Sequence, residues 1–103
     1  GSFVSAGSVR SGSTTSTTTI TLTTASVEYQ LCNAVSAAYT ITLPATTTAG
    51  YRFTIKKVDS SANAVTIAGT VDGATNYVLS AQYKYVTLIS TTTSGSWLIV
   101  GGN

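Results

Sequence analysis

Apolar side chains recur at every second position in a series of short runs along this chain, and nowhere do they recur at helical spacing with caps. Thr19-Ile20-Thr21-Leu22, Val27-Glu28-Tyr29-Gln30-Leu31 and Tyr39-Thr40-Ile41-Thr42-Leu43 each place their apolar residues on one face of an extended backbone. They read as half-buried strands. Pro44 cannot donate to a strand ladder, so the stretch from Pro44 to Gly50 reads as a connection.

The second half continues the pattern with tighter punctuation. From Arg52 to Val58, Phe53 and Ile55 share one face, and Arg52, Thr54 and Lys56 share the other. Asp59-Ser60-Ser61-Ala62-Asn63 is rich in side chains that bond their own backbone, which predicts a hairpin turn into a return strand over Ala64 to Ala68. Asp72-Gly73 predicts the next reversal. Tyr77 to Leu79, Tyr85 to Ile89 and Trp97 to Val100 are the remaining strands, with Thr91 to Ser96 turning between the last two. The expected fold is all-β, a small antiparallel sandwich or jelly-roll-like domain of about eight short strands, a barrel giving the same pattern. Strand order is not readable from alternation.

Thr19-Ile20-Thr21-Leu22 and Thr40-Ile41-Thr42-Leu43 are the same four residues. A solenoid needs at least three repeats at a kept period, and the sequence offers two, so the echo is read as composition. Residues 1–18, mostly Gly, Ser and Thr, read as a linker or docked arm, leaving 19–103 as the β domain. Gly1-Ser2 resembles a cloning remnant, and the expectation is a fragment of a longer protein with no signal peptide or transmembrane segment.

Composition enters through an anomaly. Hydrophobic residues make up 43% of the chain and charged residues 8%, against a usual charged share of about 25%. The surface must be solvated by hydroxyls. Threonine serves that purpose while favouring extended backbone. A net charge of +2 is too small for a nucleic-acid binder, and the neighbouring Arg52, Lys56 and Lys57 read as solvated positions on one strand. Cys32 is the single cysteine, which excludes an intrachain disulfide and predicts a small buried hydrophobe.

Catalysis needs titratable groups placed to perturb one another, and the inventory is nearly empty. There is no histidine, and the carboxylates are Glu28, Asp59 and Asp72, each in a different segment. Asp59 and Asp72 sit where aspartate caps turns. No metal-spaced ligand set or phosphate loop is present, so no enzyme, metal or cofactor is expected. The binding signal lies in the aromatics, since tyrosine and tryptophan join a flat apolar body to a polar edge. Most of them should cover the core or subunit contacts. Tyr83 and Tyr85, on one strand face with Lys84 opposite, and Trp97 are the expected receptor or glycan contacts.

The runs Tyr39 to Pro44, Phe53 to Lys57, Asp59 to Ile67, Val71 to Ala74, Tyr77 to Leu79, Ala81 to Tyr83, Val86 to Ile89 and the closing Trp97 together resemble a β module of bacteriophage tail-fibre and tail-spike proteins. The resemblance covers about residues 39–100 and departs from the pattern at Ser94-Gly95-Ser96, where a Gly-Thr-Asn-like turn precedes the tryptophan. It implies a structural module of an elongated homotrimer on a virion surface, in contact with a host glycan or receptor, without membrane insertion. A carbohydrate-binding or adhesin module of a cellular surface protein is the alternative. No functional residue travels with the resemblance.

Overall fold

The computed structural model describes residues 12–103. These residues form nine strands and no helix: β1 Ser13–Ser16, β2 Ile20–Thr21, β3 Tyr29–Cys32, β4 Tyr39–Thr42, β5 Arg52–Lys57, β6 Val65–Val71, β7 Ala74–Leu79, β8 Tyr85–Ser90 and β9 Ser96–Gly102. The fold is all-β, as expected. Part of the expected linker is a strand, because β1 pairs with β3; residues 1–11 lie outside the described residues.

The pairing is not that of an antiparallel sandwich. β1, β3 and β5 form one parallel ladder and β2, β4 and β6 a second. Each rung contributes one strand to each ladder: β1 with β2, then β3 with β4, then β5 with β6. This is the arrangement of a short β-solenoid, in which each rung buries its inward residues against the next. The echo noted in the sequence belongs to it, since Ile20 pairs with Ile41 and Thr21 with Thr42. Ile41 in turn pairs with Ile67, giving an isoleucine column through three rungs. The third member is invisible as a repeat because the connections differ in length. Along the first ladder Ser13 pairs with Tyr29 and Tyr29 with Thr54, steps of 16 and 25 residues. Along the second the isoleucine steps are 21 and 26 residues.

Gly69 stands beside this stack where β6 shifts register against β7. Its φ of +152° and the Leu43 Cδ1 lying 3.2 Å from where a Cβ would sit both favour glycine there. Leu43 is thereby able to close over the third rung.

The C-terminal strands join the two ladders. β8 pairs antiparallel with β5, β9 antiparallel with β8, and β9 reaches Thr70 and Val71 of β6 in parallel. The sheet therefore runs β1-β3-β5-β8-β9-β6-β4-β2, with β7 on the other side of β6. Asp72 and Gly73, with φ of +51° and +81°, turn β6 into β7 as a tight hairpin. The hairpin expected between β5 and β6 does not form, because those strands pair with other neighbours. Asp59 to Asn63 instead turns the corner between the two ladders. Inside, Phe53, Ile55, Ile41, Ile67, Val65, Leu79, Val86, Leu88 and Trp97 are buried, with the Phe53 and Trp97 rings tilted at 46° and 5.7 Å apart.

One strand faces the opposite way from its sequence pattern. Val27, Tyr29 and Leu31 were the expected inward face of β3, yet Gln30 and Cys32 are buried and Tyr29 is 47% exposed. Parallel pairing sets Gln30 beside Ile55 and Cys32 beside Lys57, so the inward phase of β5 dictates that of its neighbour. A one-residue shift reverses both faces of a strand, and the longer strand wins. Gln30 donates its Nε2 to its own chain at Val27 O, 2.9 Å away, while its Oε1 is buried without a hydrogen-bond partner among the described residues.

Candidate functional site

The three expected contact residues do not form one surface. Trp97 is fully buried, its ring against Phe53 and its Nε1 donating to Pro44 O at 3.2 Å. Its partners are core groups, so it offers no stacking platform. Tyr83 is 57% exposed and Tyr85 is half-buried. These two come together, though not by strand alternation, because Tyr83 precedes β8 and has a φ of +67°.

That left-handed backbone is rare for a bulky side chain and costs about 1–2 kcal/mol. The surrounding bonds hold it. The Tyr83 amide donates to Lys57 O at 2.7 Å, and the Lys84 amide donates to Ala81 O at 3.1 Å. On the other side Asn103 Nδ2 donates to Tyr83 O at 3.2 Å while Asn103 Oδ1 accepts from the Tyr85 amide at 3.0 Å. Asn103 reaches this position because Gly102, at φ +156°, lets the chain pass close to Tyr85; a Cβ there would lie 2.8 Å from Tyr85 O.

Lys56 completes the group. It pairs with Tyr85 across the β5–β8 ladder, and its Nζ lies 5.5 Å from the Tyr83 ring centroid and 5.8 Å from that of Tyr85. Both distances are within cation–π range. No carboxylate pairs with this ammonium among the described residues. The sequence named the tyrosines and missed Lys56 and Asn103, since nothing in local alternation reports which strand β8 will join.

Lys57, expected in solvent, is fully buried. Its Nζ is surrounded by Asp59 Oδ2 at 2.7 Å, Ser61 O at 2.9 Å, Asp59 O at 3.2 Å and Ser61 Oγ at 3.4 Å, so each of its three protons has an acceptor. Asp59 also accepts from the amides of Ala34 at 2.8 Å and Ser61 at 3.0 Å and from the Ser61 hydroxyl. Burial pushes its carboxyl upward, but Lys57, Ser61 and the two amides outweigh it and hold the group well below the usual carboxylate range. The cluster is a staple: Asp59 accepts from the Ala34 amide and Asn63 Nδ2 donates to Ala34 O, tying the corner of the third rung to that of the second.

Beside it, Tyr39 donates to Ser16 O at 3.0 Å and lies 2.9 Å from the Ser16 hydroxyl, linking the second rung to the first. Burial raises the Tyr39 phenol above its ordinary range and raises the Cys32 thiol as well. A buried thiol that resists ionisation is a poor nucleophile. Asp72 Oδ1 accepts from the Ile99 amide at 2.9 Å, a structural bond between the hairpin and β9. Among the described residues no group of three or more His, Cys, Asp or Glu could hold a metal ion, and no helix is long and apolar enough to cross a membrane. The chain matches no protein-family model and no curated protein.

Proposed function

We propose that this chain is a non-enzymatic scaffold module of a virion surface fibre or spike, of the phage type that its second half resembles, which assembles as a homotrimer and contributes to attachment. The observation that carries the reading is the stack of parallel rungs joined through β8 and β9. Such a stack transmits load through backbone ladders and side-chain columns, as a fibre requires. The buried polar groups support it: Lys57, Asp59 and Ser61 spend their bonding capacity on holding corners together.

A trimer accounts for the outward apolar side chains. Tyr29, Leu98, Val100 and Val78 are exposed around a surface with few charges, and association around an axis would remove such groups from water. Light scattering on a sizing column tests assembly directly. The expected mass is three times 10.5 kDa. A single-chain mass at all accessible concentrations removes the homotrimer.

The second reading is a carbohydrate-binding module of a cellular surface protein. Tyr83, Tyr85 and Lys56 favour it, being an aromatic pair with a cation outside the core. The two readings separate on mass, since a free-standing binding module works as a monomer.

A further inference from the structure

We infer that Tyr83, Lys56 and Tyr85 form a binding site for carboxylate-bearing sugars, such as the uronic or sialic acid units of an acidic polysaccharide. The inference deepens the attachment part of the proposed function and rests on it.

Three observations converge. The first is strain: Tyr83 is held at φ +67°, where a bulky L-residue is disfavoured, by bonds to Lys57 O and from Asn103. The second is exposure. A strained residue that packed into the core could offset its cost through burial, but Tyr83 leaves 57% of its surface in water. Among the described residues the ring meets only the Lys56 ammonium, at 5.5 Å from its centroid, whereas a ligand gains a stacking face whose position is fixed before binding.

The third is charge. The Lys56 ammonium lies within cation–π range of both rings, with no carboxylate side chain of the described residues paired to it. The three carboxylate side chains of the chain are Glu28, Asp59 and Asp72. Asp59 is committed to Lys57, and Asp72 accepts from Ile99. A sugar carboxylate would supply the missing anion to Lys56 while the apolar C–H face of its ring lies against tyrosine. A neutral sugar uses only half of this arrangement. Inorganic phosphate uses only the other half.

The test uses the whole chain titrated calorimetrically with three probes: oligogalacturonate or oligosialic acid, maltoheptaose as a neutral oligosaccharide, and inorganic phosphate. The acidic oligosaccharide is expected to bind, with affinity that falls as salt rises. Lys56→Gln and Tyr83→Asn should each weaken it by about tenfold, the size of one cation or stacking contact in a partly desolvated site.

Tyr83→Asn carries a second readout. Asparagine tolerates the left-handed region better than tyrosine, so this variant should melt no lower than wild type while binding the acidic oligosaccharide about tenfold more weakly. A lower melting temperature would make Tyr83 a structural residue and overturn the inference. So would binding of maltoheptaose or phosphate as tight as that of the acidic oligosaccharide, or no binding of any probe. A chain of trimeric mass that ignores the acidic sugars refutes this site and leaves the scaffold reading standing. A monomer that binds them does the reverse.

Discussion

Lys57 and Asp59 form an ion pair of 2.7 Å at the corner between β5 and β6, with the lysine side chain wholly out of water. Breaking such a pair from one side leaves an uncompensated charge and costs about 3–5 kcal/mol. Asp59→Ala should therefore reduce unfolding stability by that order, measured in urea. Lys57→Met should do less harm, because the Asp59 carboxylate keeps the Ala34 and Ser61 amides and the Ser61 hydroxyl as donors. Equal losses from both substitutions would show that the amides contribute little.

The same pair sets an acid limit. Asp59 titrates lower in the folded chain than in the unfolded one, so the unfolded state takes up its proton first as pH falls. Its contribution is fully present above about pH 4, the ordinary aspartate value, and is lost progressively below it. Tyr39 sets the opposite limit. Its phenol is raised by burial, so its contribution is complete below about pH 10 and declines as pH rises beyond the ordinary tyrosine value. Urea midpoints across pH should bend at both ends, and Asp59→Asn should flatten the acid bend. An acid bend unchanged in that variant would mean that Asp59 does not set it.

Ile41 lies in the column between Ile20 and Ile67 and is completely buried. Ile41→Ala removes the middle of the stack and should cost about 2–5 kcal/mol. Ile20→Ala, at a half-buried position in the first rung, should cost less. The gradient is the point of the comparison. Equal effects would mean that the rungs do not stack as a column.

The strands themselves were legible in the sequence because alternation survives in β4, β5 and β6, where Tyr39, Ile41, Phe53, Ile55, Val65 and Ile67 all face inward as their spacing predicts. The architecture was not. Parallel pairing leaves no mark on local alternation, and connections of unequal length hide the stacked repeat. Lys57 shows a second limit: its inward phase was visible as the continuation of Phe53 and Ile55, but charge argued for solvent, and only the Asp59–Ser61 corner explains why charge lost. The site divided similarly. Tyr83 and Tyr85 were legible from chemistry, whereas Lys56 joins them through the β5–β8 register and Trp97 leaves them by facing the core.

Trp97 is the single tryptophan, so its fluorescence reports on one buried position. The native chain should show blue-shifted emission that resists acrylamide quenching, shifting red only on unfolding. Trp97→Phe should cost about 1–3 kcal/mol through the lost volume and the orphaned Pro44 carbonyl. Acidic oligosaccharide should leave the emission of the native chain unchanged. Strong quenching by acrylamide before unfolding would place the indole at the surface and return it to the list of contacts.

Gly102 controls how Asn103 reaches the Tyr83 segment. A methyl group at this position would lie 2.8 Å from the Tyr85 carbonyl, a backbone atom that cannot rotate away, and φ of +156° disfavours any side chain. Gly102→Ala should therefore open the end of the β8–β9 ladder and pull Asn103 from the Tyr85 amide and the Tyr83 carbonyl. The expected loss is about 1–3 kcal/mol, as for other overpacking changes. Hydrogen exchange localises it: the Tyr85 amide should lose protection while Val65 and Ile67, on the far ladder, keep theirs. Loss of protection spread evenly over both ladders would mean that the Asn103 clamp is part of the global fold and not a local hold on the tyrosines.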